Sequence, residues 1–194
     1  MCSRPMLCCL LVLASPALLA DQVRQETQAT ITDSAANYLG NLSVNQAAGT
    51  AHQQINSRAI AAGDSSTTNT RITQVRASLP ASATGSDAVA RIQGASFSKG
   101  SGILGLNQSA GAGNQHSNVV GISLNSTPDS LDDTVLSQSA APTSVSGAVA
   151  PPSGERIADI DDRAFADSRG VVQLNQSAGV GNSSANNLSI RVAD

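Results

Sequence analysis

Apolar and polar residues alternate along three separate segments of this chain, and a period of two is typical of β-strands. In the second segment, Leu104, Leu106 and Gln108 fall on one side of the predicted strand, whereas Ile103 and Asn107 fall on the other. The first and third segments show the same alternation. The pattern therefore predicts an all-β chain built from short strands.

The three segments are copies of one repeat, because they align without a gap on an Asn-Gln pair. A Gly stands five residues before that Asn in each copy, an Ala-Gly dipeptide follows the pair, and a second Asn stands eleven residues after the first. A fixed period of this kind indicates a repeat architecture. The predicted repeats span residues 29–62, 90–124 and 158–192.

Each repeat is predicted to fold as three strands joined by two turns. The short first strand leads to Phe97 in the second copy and to Phe165 in the third, whereas Tyr38 of the first copy aligns only approximately. Gly and Asn tolerate positive φ, so the segment after the Asn-Gln pair is predicted to turn. The predicted turn glycines are Gly49, Gly111 and Gly179.

One such unit cannot bury its apolar side alone. We therefore expect the three imperfect repeats to stack as layers of a β-solenoid or cross-β (amyloid) core, ~4.8 Å apart and joined by flexible linkers. In such a stack each buried amide can bond to the amides above and below it, which removes the penalty of an unpaired polar group. The predicted apolar layers are formed by Val44, Leu106, Leu174, Phe97, Phe165, Ile92 and Ile160. The predicted fibre-core amide ladder is formed by Asn45, Gln46, Asn56, Asn107, Gln108, Asn118, Asn175, Gln176 and Asn186.

No capping segment is evident at either end of the predicted stack. Residues 21–28 are too short for a cap, and the third repeat stops within a few residues of Asp194. We therefore expect both end layers to expose unpaired backbone N–H and C=O groups. The end layer of one molecule can then template the end layer of the next, through contacts that do not close and so build a filament.

The parts of the chain outside the repeats are predicted to be targeting and linking segments. Residues 1–20 combine Arg4 with a short apolar run and read as a signal peptide, cleaved after Ala20 or Ala17. Residues 21–28 are a polar, flexible lead-in. Residues 63–89 and 125–157 are rich in Ser, Thr, Ala and Pro and are predicted to be linkers outside the stacked core. Within the first linker, residues 71–75 alternate weakly and are a candidate short strand.

Composition narrows the class of function. The chain has 194 residues, a net charge of −3, and only one Tyr, two Phe and no Trp. Removal of the signal peptide takes away Arg4 and all three Cys residues, which leaves a net charge near −4 and no thiol chemistry. The net negative charge does not favour nucleic acid or an anionic membrane as a partner.

Candidate chemistry for catalysis or metal binding is sparse. His52 and His116 are the two His residues, and both fall in the predicted turn region. Stacked layers could bring them together as a metal site, but we interpret them as surface residues of the turns. Asp159, Asp161 and Asp162 form an acidic cluster without the spacing of a Ca²⁺ loop, and we interpret it as a solvated face. We predict no enzyme activity, no metal and no cofactor.

The repeat resembles the imperfect repeats of the Fap functional-amyloid fibre subunits of biofilm-forming bacteria. The resemblance rests on the pattern A-x-I…F…G-x-x-x-[VL]-N-Q-x-A-G-x-x-N-x-x-x-N and on the layout of signal, repeats and linkers. It implies a chain exported across the inner and outer membranes that forms cross-β fibres of the biofilm matrix on the cell surface. Its partners would be itself, related fibre subunits and the export machinery. The short linkers make the chain most similar to the minor, nucleating (FapB-like) subunit.

Two other functions remain as alternatives. The chain is a major fibre subunit of the same system, or it is a monomeric β-solenoid that binds a surface as an adhesin. The second alternative requires a flat array of one residue type, such as Thr, on an exposed face, and the repeats do not contain one. A secreted enzyme is the least favoured class, because no constellation of catalytic residues is present.

Overall fold

A computed structural model describes residues 26–63, 68, 70–75, 86–125, 136–141 and 154–193. The predicted signal peptide and most of the predicted lead-in lie outside these residues. Across the described ranges, no helix has the length and apolar character needed to cross a membrane. The all-β prediction is confirmed, because every regular element in this part of the chain is a strand.

Eleven strands follow one another along the described chain. They are β1 Glu26–Thr32, β2 Leu39–Thr50, β3 Gln53–Ala62, β4 Thr70–Val75, β5 Asp87–Gln93, β6 Ser101–Ala112, β7 Gln115–Asn125, β8 Leu136–Ala141, β9 Arg156–Ile160, β10 Arg169–Val180 and β11 Ser183–Ala193.

The strands pair in parallel, and each pair joins residues far apart in the sequence. Three sheets have three strands each, in the orders β1-β5-β9, β2-β6-β10 and β3-β7-β11, and a fourth sheet pairs β4 with β8. The chain therefore forms a first layer (β1, β2 and β3), a middle layer (β5, β6 and β7) and a third layer (β9, β10 and β11). This arrangement is consistent with a β-solenoid-like stack.

The register of the long sheets follows the gap-free alignment of the three sequence segments. Asn107 pairs with Asn45 on one side and with Asn175 on the other. Because side chains alternate along a strand, a slip of one residue would move every side chain to the opposite face. The register therefore places the aligned Asn-Gln pairs and glycines of the three copies above one another.

The β2-β6-β10 sheet lies between two different cores. On one side, Leu104 and Leu106 are fully buried and pack with Ile92 of β5 and with Phe97, which follows that strand. On the other side, Asn107 faces the β3-β7-β11 sheet and donates to the Ile55 carbonyl. One core is thus apolar and the other is rich in amides.

The predicted linkers are not entirely outside the paired structure. The segment Thr70–Val75 of the first linker and the segment Leu136–Ala141 of the second pair as parallel strands. Ile72 and Gln74 of β4 are buried, and Gln74 donates to the His116 carbonyl of β7. The predicted linkers therefore contain paired strands as well as connections, and the hydrogen bonds of β4 place it against the β3-β7-β11 sheet.

Candidate functional site

Two Asn columns run through the stack. In the first Asn column, Asn107 Nδ2 donates to Asn45 Oδ1 at 3.0 Å, and Asn175 Nδ2 donates to Asn107 Oδ1 at 3.0 Å. In the second Asn column, Asn118 Nδ2 donates to Asn56 Oδ1 at 2.9 Å, and Asn186 Nδ2 donates to Asn118 Oδ1 at 3.0 Å. Each amide therefore links its own layer to the layer before it.

A Gln column lies on the opposite face of the same sheet. Gln108 Nε2 donates to Gln46 Oε1 at 2.7 Å, and Gln176 Nε2 donates to Gln108 Oε1 at 2.9 Å. Each Gln also donates to the backbone of the neighbouring sheet, as Gln108 does to the Arg91 carbonyl at 2.9 Å. The column therefore ties two sheets together as well as three layers.

The two Asn columns also bond to each other. Asn118 Nδ2 lies 3.0 Å from Asn107 Oδ1, and Asn175 Nδ2 lies 3.0 Å from Asn118 Oδ1. The middle members Asn107 and Asn118 are fully buried, as is Gln108. A buried amide without partners would cost about 1–3 kcal/mol, so these bonds are what makes an amide core tolerable.

Sequence reasoning overlooked two further amide sets. Gln115 Nε2 donates to Gln53 Oε1 at 2.9 Å, and Asn182 Nδ2 donates to Asn114 Oδ1 at 3.0 Å. Asn114 and Asn182 are aligned in the sequence, because each follows the second Gly of the turn segment, in the second and the third copy respectively. Asn114 is fully buried, so this position belongs to the amide-rich core as well as to the turn.

His52 takes the place of that Asn in the first layer. Its Nε2 lies 3.0 Å from the Ala48 carbonyl, as Asn114 Nδ2 lies 3.1 Å from the Ala110 carbonyl. A carbonyl oxygen can only accept, so His52 Nε2 carries the proton in this contact. The first copy therefore departs from the repeat in sequence but keeps the same hydrogen bond.

The predicted turn glycines lie within strands, so the predicted turn position is wrong by a few residues. Gly49, Gly111 and Gly179 belong to β2, β6 and β10, and the chain turns only after those strands end. All three have positive φ, between 111° and 126°. A Cβ on Gly111 would approach the Gly179 carbonyl oxygen to 2.0 Å. Gly49 and Gly111 are needed because the backbones of adjacent layers touch there, whereas a Cβ on Gly179 would meet the Arg156 side chain.

The predicted apolar layers are only partly buried. Ile92, Phe97 and Leu106 of the middle layer are at most 1% exposed. The Phe97 and Phe165 rings stack with centroids 5.5 Å apart. Val44, Leu174 and Phe165 are partly buried against this cluster. Ile160, predicted as a core residue, is 41% exposed, although the aligned Ile31 and Ile92 are buried.

His116 is not a surface turn residue, and that interpretation is corrected. It lies in β7, is fully buried, and its Nε2 is 2.8 Å from Ser177 Oγ of the third layer. Its Nδ1 is buried without a hydrogen-bond partner. Burial, together with the nearby His52, lowers the pKa of His116 to about 4. The buried ring is therefore neutral at neutral pH.

Asp161 of the acidic cluster in the third layer forms a local ion pair with Arg163. Arg163 Nε and Nη2 donate to the Asp161 carboxylate at 3.1 Å and 3.0 Å. These bonds hold the pKa of Asp161 well below its usual range. Asp159 and Asp162 are exposed. In the described part of the chain, no group of three or more His, Cys, Asp or Glu side chains is arranged to hold a metal ion.

The arrangement suits self-association better than reaction chemistry, because its dominant feature is a set of repeated hydrogen bonds between layers. A family model described as "Functional amyloid protein FapB/FapC family" matches residues 15–193. The chain belongs to this family. No solved structure matches the chain.

Family membership makes the chain a functional-amyloid fibre subunit, in a family of structural proteins rather than enzymes. Subunits of this family form extracellular fibres and assemble with related subunits. The resemblance inferred from the repeat pattern is thereby confirmed at the level of the family. The roles assigned to individual amide, apolar and glycine residues in a fibre stay predictions.

Proposed function

We propose that this chain is the minor, nucleating subunit of its fibre, and that its three repeats are the layers of a β-solenoid with a cross-β core. The observation that carries the proposal is the in-register stacking of the two Asn columns and the Gln column, whose middle members are fully buried. Such amide stacks provide the same set of hydrogen bonds to every added layer, and a fibre core needs this property.

The presence of three layers in one chain favours a nucleating role. The first layers of a cross-β stack form slowly, because backbone must be ordered before many contacts stabilise it. Residues 63–89 and 125–157 link the layers covalently, and the entropy of closing such loops rises only slowly with their length. The first three layers can then form by the folding of one chain, without an encounter between three separate chains.

The proposal includes a route to the cell surface. Residues 1–20 act as the signal peptide, and export machinery carries the chain through the periplasm and the outer membrane. The subunit then joins the biofilm matrix, with copies of itself and related fibre subunits as partners. No nucleic acid, small-molecule substrate, metal or cofactor takes part.

A seeding experiment tests this role. Protein lacking residues 1–20 is incubated at micromolar concentration, alone and in trace amounts with a longer related subunit, and thioflavin fluorescence is followed. Fibres with reflections at ~4.7 Å and ~10 Å are expected, together with a shortened lag phase of the longer subunit. Fibres without any effect on the lag phase would instead support a major subunit. A stable β-rich monomer that forms no fibres would support a surface-binding solenoid.

A further inference from the structure

The two ends of the layer stack are open in the described structure. Each strand of the first layer and each strand of the third layer has a paired neighbour on one side only. Open edges of this kind present unpaired backbone N–H and C=O groups to another chain. The ends are also chemically different from each other, and this difference determines which partner fits.

The amides of all three columns point the same way along the stack. Asn118 Nδ2 donates to Asn56 in the layer before it, and Asn118 Oδ1 accepts from Asn186 in the layer after it. The orientation is fixed because Asn118 Nδ2 also donates to the Leu106 carbonyl at 3.1 Å, and a carbonyl cannot donate. The Gln column has the same direction.

This direction gives the stack a donor end and an acceptor end. In the first layer, the amide nitrogens of Asn45, Gln46 and Asn56 donate to the Gln54, Thr30 and Val44 carbonyls of their own layer. Each of these amide groups has a second N–H, which in the other layers is directed to the layer before. The outer side of the third layer presents the amide oxygens of Gln176 and Asn186, which within the described residues accept nothing from a further layer. Donors on one end therefore match acceptors on the other, whereas two like ends would face donor to donor or acceptor to acceptor.

A glycine column repeats this complementarity in shape. A Cβ on Gly170 would meet the Gly102 carbonyl oxygen at 2.1 Å, and a Cβ on Gly102 would meet the Gly40 carbonyl oxygen at 2.0 Å. A Cβ on Gly40 would meet nothing within 4 Å, because the first layer ends there. The surface at Gly40 has the same shape that lets Gly102 and Gly170 seat on the layer before them.

We propose that a second copy of this chain docks head-to-tail, with its first-layer face on the third-layer face and in the register that already relates the layers within one molecule. In this arrangement Gln46 and Asn56 donate to Gln176 and Asn186 of the preceding copy, and Gly40 packs on Gly170. The inference rests on the proposed fibre function and adds to it the polarity and the atoms of the junction.

Cross-linking of cysteine variants tests the polarity, since the chain has no Cys beyond residue 9. Leu39 and Arg169 both pair with Ser101 in the register and both are exposed. They lie two layers, or ~10 Å, apart in one molecule, too far for a disulfide. Head-to-tail docking brings Leu39 of one copy within one layer, ~4.8 Å, of Arg169 of another.

Fibres are grown from Leu39→Cys alone, from Arg169→Cys alone and from an equal mixture, then oxidised, dissolved and separated by size. Head-to-tail docking predicts disulfide dimers in the mixture only. Dimers in Leu39→Cys alone or in Arg169→Cys alone would overturn the proposal, as would a mixture without dimers, while the fibre function would stand. Failure of all three samples and of the unmodified chain to form fibres would overturn the fibre function as well.

A second variant tests the shape of the junction. Gly40→Ala is expected to leave the folded monomer intact, with the β-rich spectrum of the unmodified chain, but to slow elongation at least tenfold. Its Cβ would clash with the Gly170 carbonyl of the preceding copy. Elongation at the unmodified rate from a folded Gly40→Ala chain would contradict the proposed register.

Discussion

The middle layer and the first layer have nearly the same amides in nearly the same conformations, yet they differ sharply in burial. Asn107 and Gln108 are fully buried. Of their first-layer counterparts, Asn45 is exposed and Gln46 is half-buried. The difference comes from neighbours, because the middle layer has one on each side. An amide column is therefore saturated in the middle of the stack and unsaturated at its ends.

A second contrast concerns charge. Arg58 of the first layer aligns with Val120 of the middle layer, which is fully buried. The Arg58 guanidinium donates to the Leu42 carbonyl at 3.1 Å and to the Ser43 hydroxyl. It also occupies the space beside Gly105, whose Cβ would approach Arg58 Nη2 to 2.1 Å. In the first layer, the Leu42 carbonyl and the Ser43 hydroxyl stabilise this cation, whereas the middle layer has an apolar side chain at the same position.

The largest expected difference between the two layers concerns their glycines. Gly102→Ala should lower the free energy of unfolding by about 3 kcal/mol or more, because it adds a clash to a positive φ. Gly40→Ala has positive φ but no clash, so its cost should be only about 1–2 kcal/mol. Urea unfolding of both monomers, followed by circular dichroism, measures this. Equal losses would show that the layers do not touch at Gly102.

Truncation of an amide should show the next largest effect. Asn107→Ala removes bonds to both neighbouring layers and leaves buried partners unpaired, so we expect a loss of about 2–3 kcal/mol. Asn45→Ala removes bonds on one side only and exposes its partners to water, and its cost should stay below about 1 kcal/mol. The same urea experiment compares the pair, and a larger loss for Asn45→Ala would contradict the layer order.

The buried His116 predicts a dependence of stability on pH. Its pKa is lowered to about 4 in the folded chain, so the unfolded chain binds the proton first as the pH falls from about 6.5. The neutral ring contributes stability above pH 6.5, and this contribution is lost progressively toward pH 4, by about 3 kcal/mol. His116→Gln should flatten this part of the curve, because the Gln side chain does not titrate. Gln is expected to fit at this position, since Gln54 occupies the aligned position in the first layer. If the curve of the His116→Gln variant matches that of the unmodified chain, other titratable groups cause the pH dependence.

The smallest expected effect concerns repulsion between copies. Glu26 pairs with Asp87, and the Glu155 N–H donates to the Asp87 carboxylate at 2.7 Å. Head-to-tail docking would place Glu155 one layer from Glu26 of the next copy, at a cost of about 0.2–1 kcal/mol. Glu155→Gln should therefore speed elongation a few-fold at low salt, and the gain should shrink at high salt because salt screens the charges. A gain that persists at high salt would point to a different cause.

Much of the stack could be predicted from residue spacing. The Asn-Gln pairs, the apolar alternation and the recurring glycines indicated which residues share a column, since a shifted register would place amides against apolar residues. Weak alternation over residues 71–75 indicated β4, whereas no sequence pattern indicated β8 or its pairing with β4, because the two segments share no repeat. The position of the turns was missed because Gly111 serves close contact between layers rather than chain reversal.

The amino-acid sequence by itself determined the all-β class, the family and the column in which each Asn and Gln stands, because these follow from local alternation and from spacing along the chain. Only the tertiary structure decided that Asn107, Asn118 and His116 are buried, that the two Asn columns interlace, and that the stack has a donor end and an acceptor end. Burial and hydrogen-bond direction depend on neighbours distant in the sequence, as Asn45 is 62 residues from Asn107. Spacing within one repeat carries no information about which layers lie above and below it.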